Sequence, residues 1–228
     1  MKKNFRYTLL LLSMLAMVAC DEGFDELNIN QTAATSVNPV FSLNNSVINA
    51  SFVATTVQYE IGIVQQMISP NSGVLTGANF NQDNRDATQA AWQRYYRSTI
   101  RFAVDVILAT KDQPTRSNLY NMARIWKAHA MMVMTDTYGD IPYTEAGKGY
   151  TDQVLLPKYD TQQSIYTDII KELTEATAAL DAGKTIETAD VLYGGNVTQW
   201  KKLGNSLLLR AGIRLVKVDA ALAQSTVQ

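Results

Sequence analysis

Apolar residues recur at spacings of three and four along most of the chain from residue 38 onward, which is the period of an amphipathic helix. The first stripe begins near Asn38-Pro39, and proline suits the first turn of a helix. It predicts a helix that ends at Ser69, because Pro70 follows. The apolar members of this stripe are Phe41, Val47, Ile48, Phe52, Val53, Val57, Ile61, Val64 and Ile68.

Four further stripes predict helices over about residues 88–111, 116–138, 161–180 and 198–218. Gly139 is placed to end the helix over 116–138, and Asp160 or Thr161 is a candidate N-cap for the helix that follows. No alternation of apolar and polar residues typical of a strand is longer than four residues. Five helices joined by loops predict an all-α protein.

A weak internal repeat is also visible. Trp126-Lys127 and Trp200-Lys201 each lie in a predicted helix, and they are about two periods of a roughly 34-residue helix-turn-helix unit apart. The match is sparse, but it is consistent with a helical-repeat superhelix.

The N-terminus has the pattern of a bacterial export signal. Lys2, Lys3 and Arg6 supply its positive charges, and an apolar run follows over residues 9–18. This run is too short for a spanning helix, which needs about 20 apolar residues. It ends in Met-Val-Ala-Cys at residues 17–20, which resembles a lipobox that accepts lipid on Cys20, with Met17 in place of the usual leucine.

These features divide the chain into three parts. Residues 1–19 are predicted to be a lipoprotein signal peptide, residues 20–36 a lipidated tether, and residues 37–228 a helical domain. Two or three acyl chains on Cys20 would give a stable membrane anchor. The alternative is an ordinary secretory signal followed by a cysteine without lipid. The acidic residues just after Cys20 resemble a surface-export signal of Bacteroidetes lipoproteins, or they form a solvated tether.

Composition excludes several classes of function. Hydrophobic residues make up 46% and charged residues 18% of the chain, a balance typical of a globular protein. The formal net charge is −1, and no basic run with interleaved aromatics indicates a nucleic-acid surface. With Cys20 as the single cysteine, an internal disulfide is excluded. His129 is the single histidine, so a zinc site or a Cys–His nucleophile is not expected.

No catalytic site, metal or cofactor is predicted. Two carboxylate pairs, Asp136 with Asp140 and Glu172 with Glu175, have helical spacing and could in principle cleave glycosides. Nothing in the sequence places either pair in a cleft, and solvated helix faces account for them. We therefore expect a protein that is not an enzyme.

The segment over residues 69–92 is the best candidate for a binding site. It combines amide, acid and guanidinium side chains with aromatic rings, and sugars are bound by that mixture, because rings stack on sugar faces while polar groups bond hydroxyls. The candidate ligand-binding residues are Asn79, Phe80, Asn81, Asp83, Arg85 and Trp92. The alternative is a hydrophilic loop with Trp92 in the core.

Three motifs carry a resemblance to a known family. Tyr138-Gly139-Asp140-Ile141-Pro142-Tyr143 directly follows a long amphipathic stripe, the run over residues 199–210 begins Gln-Trp-Lys-Lys-Leu-Gly-Asn, and residues 24–30 read Phe-Asp-Glu-Leu-Asn-Ile-Asn. In this order they resemble the SusD/RagB family of outer-membrane nutrient-binding lipoproteins. Members of this family are considerably longer than this chain, so the chain resembles only their N-terminal portion.

The resemblance implies a tetratricopeptide-like helical superhelix with long loops, truncated relative to the family. It also implies a cell-surface lipoprotein of the outer membrane that captures an oligosaccharide, or in some members a peptide. The partner it implies is a SusC-like TonB-dependent transporter, which receives the ligand. The alternative function is a helical-repeat scaffold or peptide-binding lipoprotein without glycan binding.

Overall fold

The computed structural model describes residues 37–50, 61–62, 64, 66–67 and 85–227. For residues 86 and 87 it describes the backbone only. The predicted signal peptide (1–19), the tether (20–36) with Cys20, and most of the loop before residue 85 lie outside the described residues. The described residues from 38 onward belong to one compact unit of the chain.

The described residues are mainly helical. The helical elements are α1 (Pro39–Ala50), α2 (Arg85–Arg94), a π-helical segment (Tyr95–Ile100), α3 (Arg101–Thr110), a 3-10 turn (Pro114–Arg116), α4 (Ser117–Tyr138), α5 (Gln162–Ala179), α6 (Val197–Leu215) and α7 (Ala220–Val227). Two short antiparallel strands, β1 (Ile141–Pro142) and β2 (Tyr159–Asp160), close the loop between α4 and α5.

The core is built around α4. This helix packs against α3, α5 and α6, while α1 packs on α3, and α7 packs on α6. Its buried residues include Leu119, Met122, Ile125, Met131 and Met134, which lie on more than one side of the helix. A helix that buries most of its circumference occupies the centre of a bundle rather than its surface.

The predicted first helix begins where expected, at Pro39. Two members of its predicted apolar stripe, Phe41 and Ile48, are instead half exposed, at 51% and 52%, while Val40 and Leu43 are buried. The inward row also contains a polar residue, because the buried hydroxyl of Ser46 donates a 2.5 Å hydrogen bond to the carbonyl oxygen of Thr99. A row that includes a serine is not recognised from hydrophobicity alone.

The second predicted helix forms, but it begins at Arg85 rather than near residue 88. Residues 85–87, expected in the polar loop, are thus the first turn of α2. The helical path continues through the π segment to Thr110. Nothing in the apolar spacing predicted the π segment.

The remaining predicted helices lie close to their expected bounds. Gly139 follows α4 with a φ of 76°, which glycine adopts without strain. Thr161 caps α5, where its hydroxyl accepts a hydrogen bond from the Ser164 amide. The helix α6 ends at Leu215, and the separate helix α7 was not predicted.

None of the helices in the described ranges has the length and apolar character needed to cross a membrane.

Candidate functional site

Three aromatic side chains gather around Trp92 on α2. The ring of Trp92 meets Tyr138 edge to face, with centroids 5.1 Å apart and an interplanar angle of 87°. It contacts Tyr96, one turn along the helix, at 4.7 Å and 48°. It lies roughly parallel to Tyr159, at 6.3 Å and 21°. These four residues form the aromatic cluster.

The aromatic cluster joins three separate parts of the chain. Trp92 and Tyr96 belong to the helix that begins at Arg85, Tyr138 is the last residue of α4, and Tyr159 lies on β2. The strand pair β1–β2 folds the loop back so that Tyr159 faces Trp92.

Hydrogen bonds fix two of the tyrosines. The hydroxyl of Tyr138 donates to the carbonyl oxygen of Thr88 at 2.5 Å, and the hydroxyl of Tyr96 donates to the carbonyl oxygen of Pro142 at 2.7 Å. Burial raises the pKa of Tyr96 above its usual value, and the nearby Tyr159 and Asp160 raise it further, so this hydroxyl stays protonated and donates. These bonds preorganise the rings.

Tyr159 is the exposed member of the cluster, at 63%, whereas Trp92 is half-buried. Beside Trp92 lies a groove of about 330 Å³ that is lined by Arg85, Thr88, Gln89, Trp92 and Tyr138. Small-molecule sites in proteins usually have about 300–1,000 Å³ and combine apolar walls with a few polar groups. We call this the Trp92 groove.

The predicted ligand-binding residues can be followed only in part. Arg85 and Trp92 lie two turns apart on α2 and line the same groove, so the structure brings them together. The other four predicted residues lie outside the described residues. They are Asn79, Phe80, Asn81 and Asp83.

Three aromatic members of the cluster were not singled out from the sequence. Two of them could have been found from the neighbouring sequence, because Tyr138 belongs to the motif over residues 138–143 and Tyr96 follows Trp92 by one helical turn. Nothing in the sequence around Tyr159 indicated its role, because its position opposite Trp92 depends on how the loop between α4 and α5 folds back.

The carboxylate pairs considered for catalysis have structural partners. Glu172 and Glu175 both accept hydrogen bonds from the guanidinium of Arg124, at 2.9 and 2.6 Å. Asp136 accepts a hydrogen bond from the Tyr166 hydroxyl and lies 2.8 Å from Arg214 Nη1. Arg214 on α6 thus binds a carboxylate of α4. Asp140 accepts a 2.9 Å hydrogen bond from the backbone amide at the start of α5.

His129 faces the inside of the bundle. Its ring lies 5.0 Å from the ring of Trp126, and its buried Nδ1 has no hydrogen-bond partner among the described residues. Burial and the positive charges of Arg210 and Arg214 lower its pKa to about 4. In the part of the chain that the structure describes, no group of three His, Cys, Asp or Glu side chains could hold a metal ion.

A larger groove of about 540 Å³ lies between the end of α4, the start of α5 and the α6–α7 pair. Several of its polar side chains are already paired, since Asp136 binds Tyr166 and Arg214, and Gln162 Nε2 donates to the Thr135 carbonyl oxygen. Tyr166 is its one aromatic wall and is buried, so it offers no stacking face. The Trp92 groove is the better candidate because two aromatic rings line it, those of Trp92 and Tyr138, and both are only partly buried.

Both the sequence and the fold of the chain match a known protein family. Residues 30–228 match the family described as SusD-like, starch-binding and associating with the outer membrane. The chain belongs to the SusD-like family. The predicted resemblance and the predicted all-α helical-repeat fold are thereby confirmed.

Solved structures of SusD-like proteins resemble the chain over most of its length. A chitin-binding protein is 30% identical with a TM-score of 0.74, and the match covers 83% of this chain and 42% of that one. A SusD-like protein from Bacteroidetes AC2a is 30% identical with a TM-score of 0.72, covering 84% and 36%. A SusD/RagB family protein from Bacteroides thetaiotaomicron has the same fold at 24% identity and a TM-score of 0.70, covering 84% and 42%.

The chain therefore spans about two fifths of the length of these SusD-like relatives. No curated protein matches it.

Proposed function

We propose that this SusD-like chain binds an oligosaccharide at the Trp92 groove, without chemical conversion of the sugar. The observation that carries the proposal is the pair of aromatic rings that line the groove, Trp92 and Tyr138, with the exposed ring of Tyr159 roughly parallel to Trp92 beside them. Sugar rings have an apolar C–H face that packs on such an aromatic surface. Because hydrogen bonds hold Tyr96 and Tyr138 in place, little conformational entropy is lost when a ligand binds.

The polar walls suit a neutral sugar. Arg85 and Gln89 stand on the α2 side of the groove, where a guanidinium and a carboxamide can bond hydroxyl or acetamido groups. A relative of 30% identity is a chitin-binding protein, and the family is described by starch binding. Chito-oligosaccharides and malto-oligosaccharides are therefore the first ligands to test.

Isothermal titration of the full chain with chito-hexaose and malto-hexaose tests the proposal. We expect saturable binding of one of them and a loss of about 1–3 kcal/mol in binding free energy for Trp92→Ala and for Tyr159→Ala. Unchanged affinity in both variants would mean that the Trp92 groove is not the site.

The matched control is Ile213→Ala. Ile213 is 60% exposed and lies on α6, which packs against α4, α5 and α7 and does not line the Trp92 groove. This variant removes a comparable exposed apolar surface and should bind as the unaltered chain does. A peptide bound in place of any sugar would favour the alternative scaffold or peptide-binding role.

We further propose that the protein is a cell-surface lipoprotein, anchored in the outer membrane through Cys20. Residues 1–19 are then a cleaved signal peptide, residues 20–36 the tether, and residues 37–228 the SusD-like domain. Labelling cells with a clickable fatty acid should mark the unaltered protein but not Cys20→Ser. Equal labelling of both proteins would contradict lipidation at Cys20, and resistance to protease added to intact cells would contradict surface exposure.

Delivery of the ligand to a SusC-like TonB-dependent transporter completes the proposed function. Its support is the family's association with the outer membrane. Purification of the protein from membranes in mild detergent should bring down a large outer-membrane barrel in stoichiometric amount. A soluble partner and no barrel would contradict the delivery role.

A further inference from the structure

A second groove lies farther along the helix that carries Trp92. It has about 420 Å³ and is lined by Tyr96, Arg101, Asp105, Gly147, Gly149 and Tyr150. We call it the Tyr150 groove. Tyr96, which lines this groove, contacts Trp92, which lines the other one, so the two grooves are neighbours separated by this pair of rings.

The π-helical segment aligns the two grooves. From Arg85 the groove-lining residues follow α-helical steps of four, three and four to Gln89, Trp92 and Tyr96. An uninterrupted α-helix would continue this row to Ile100 and then to Ala103 or Val104, all of which are buried.

A π turn holds about one extra residue, so the row continues instead at Arg101 and then Asp105. Polar side chains thereby face the groove while the apolar ones stay in the core. At about 1.5 Å per residue, Trp92 and Asp105 are roughly 20 Å apart along the helix. That length exceeds a single sugar ring and accommodates several in succession.

The opposite wall of the Tyr150 groove is held close by glycine. Gly147 has a φ of 76°, and a Cβ at this position would lie 2.9 Å from Val104 Cγ2. The loop backbone therefore rests directly on α3, and the following residues stand beside Asp105. The ring of Tyr150 is 94% exposed, so both of its faces are open.

We infer that the Tyr150 groove is a second subsite for the same ligand, and that the ligand is an extended neutral oligosaccharide that runs from Trp92 past Tyr96 to Tyr150. This inference rests on the proposed function. Tyr150 supplies a ring for stacking, while the guanidinium of Arg101 donates to sugar hydroxyls and the carboxylate of Asp105 accepts from them. Opposite charges in one groove favour a neutral chain over a charged one.

The dependence of affinity on chain length tests the second subsite. The full chain is titrated with chito-oligosaccharides from the disaccharide to the hexasaccharide, and with the corresponding malto-oligosaccharides. The affinity of the unaltered protein should rise with length until both grooves are filled. Tyr150→Ala and Asp105→Asn should weaken hexasaccharide binding about tenfold, or about 1.4 kcal/mol, and leave disaccharide binding unchanged. Trp92→Ala should weaken both.

Leu156→Ala is the matched control, because Leu156 is 92% exposed in the same loop but does not line the groove. It should bind every length as the unaltered chain does. Hexasaccharide affinity that is unchanged in both Tyr150→Ala and Asp105→Asn, or reduced equally at every length, overturns the second subsite and leaves the Trp92 groove standing. Absence of binding by the unaltered protein to either series overturns both proposals.

Discussion

The carboxylate of Asp190 accepts a 2.7 Å hydrogen bond from the indole Nε1 of Trp200, and both side chains are buried. The same carboxylate accepts hydrogen bonds from the backbone amides of Leu192, Tyr193 and Gly195. One charged group therefore ties the loop before α6 to the core side of that helix.

Replacement of Asp190 by alanine should destabilise the protein. The indole and three amides would lose their acceptor, and each buried donor left without a partner costs about 1–3 kcal/mol. Urea unfolding followed by tryptophan fluorescence measures the change. Asp152→Ala is the control, since Asp152 is exposed in a loop and should change the free energy of unfolding by less than about 0.5 kcal/mol. Equal midpoints for the two variants would contradict the prediction.

The two glutamates that bind Arg124 should differ in their contribution to stability. Glu172 is 22% exposed and makes two hydrogen bonds to the guanidinium, whereas Glu175 is 51% exposed and makes one. Exposed ion pairs contribute about 0–1 kcal/mol, and covered hydrogen-bonded pairs contribute more. Glu172→Gln should therefore lower the free energy of unfolding more than Glu175→Gln does. A larger loss for Glu175→Gln would show that burial does not decide the difference.

His129 should make stability fall in mild acid. Its pKa in the folded protein is about 4, below the ordinary 6.5, so the unfolded chain binds the proton more readily. Its contribution to stability is complete above pH 6.5 and decreases as the pH falls towards 4, by on the order of 3 kcal/mol in total. Urea unfolding across this range should give a shallower pH dependence for His129→Gln. Identical profiles would mean that carboxylates alone cause the dependence.

At Gly204 the helices α5 and α6 pack closely against each other. A Cβ at this position would collide with Thr177 Oγ1 and lie 3.1 Å from Thr177 Cβ. Alanine in a helix is otherwise favoured over glycine by about 1 kcal/mol, so stabilisation is the outcome expected from helix propensity alone. We expect Gly204→Ala to lower the melting temperature, because overpacking costs about 1–3 kcal/mol. Adding Thr177→Ala should restore part of the loss, and a failure to do so would place the strain elsewhere.

The helices could be predicted because their signals are local. Gly139 ends α4 and Thr161 caps α5, and both act through residues within one or two turns of their own positions. The inward row of α1 escaped prediction, since Ser46 is buried by a bond to Thr99, which is 53 residues away. The separate helix α7 was also missed, although Asp219 accepts a hydrogen bond from the Leu222 amide in a local cap.

Only the part of the candidate site that lies on α2 could be predicted from the sequence. Arg85 and Trp92 lie close together in the chain, so their combination of guanidinium and aromatic groups is visible in the sequence, although Arg85 was expected in the loop before the helix. Tyr159 reaches Trp92 through a strand pair only two residues long, which is too short to leave a periodic pattern. Sites assembled from distant segments depend on the tertiary fold, and local sequence does not determine it.

The π-helical segment also affects how this chain is compared with its relatives. A turn that contains an additional residue leaves the path of the helix nearly unchanged while it rotates everything downstream. When the chain is aligned with a homologue whose helix is regular here, a one-position gap belongs within residues 95–100. An ungapped alignment would set Arg101 against a core position, and a homologue that retains the polar row after Tyr96 would be misread as lacking it.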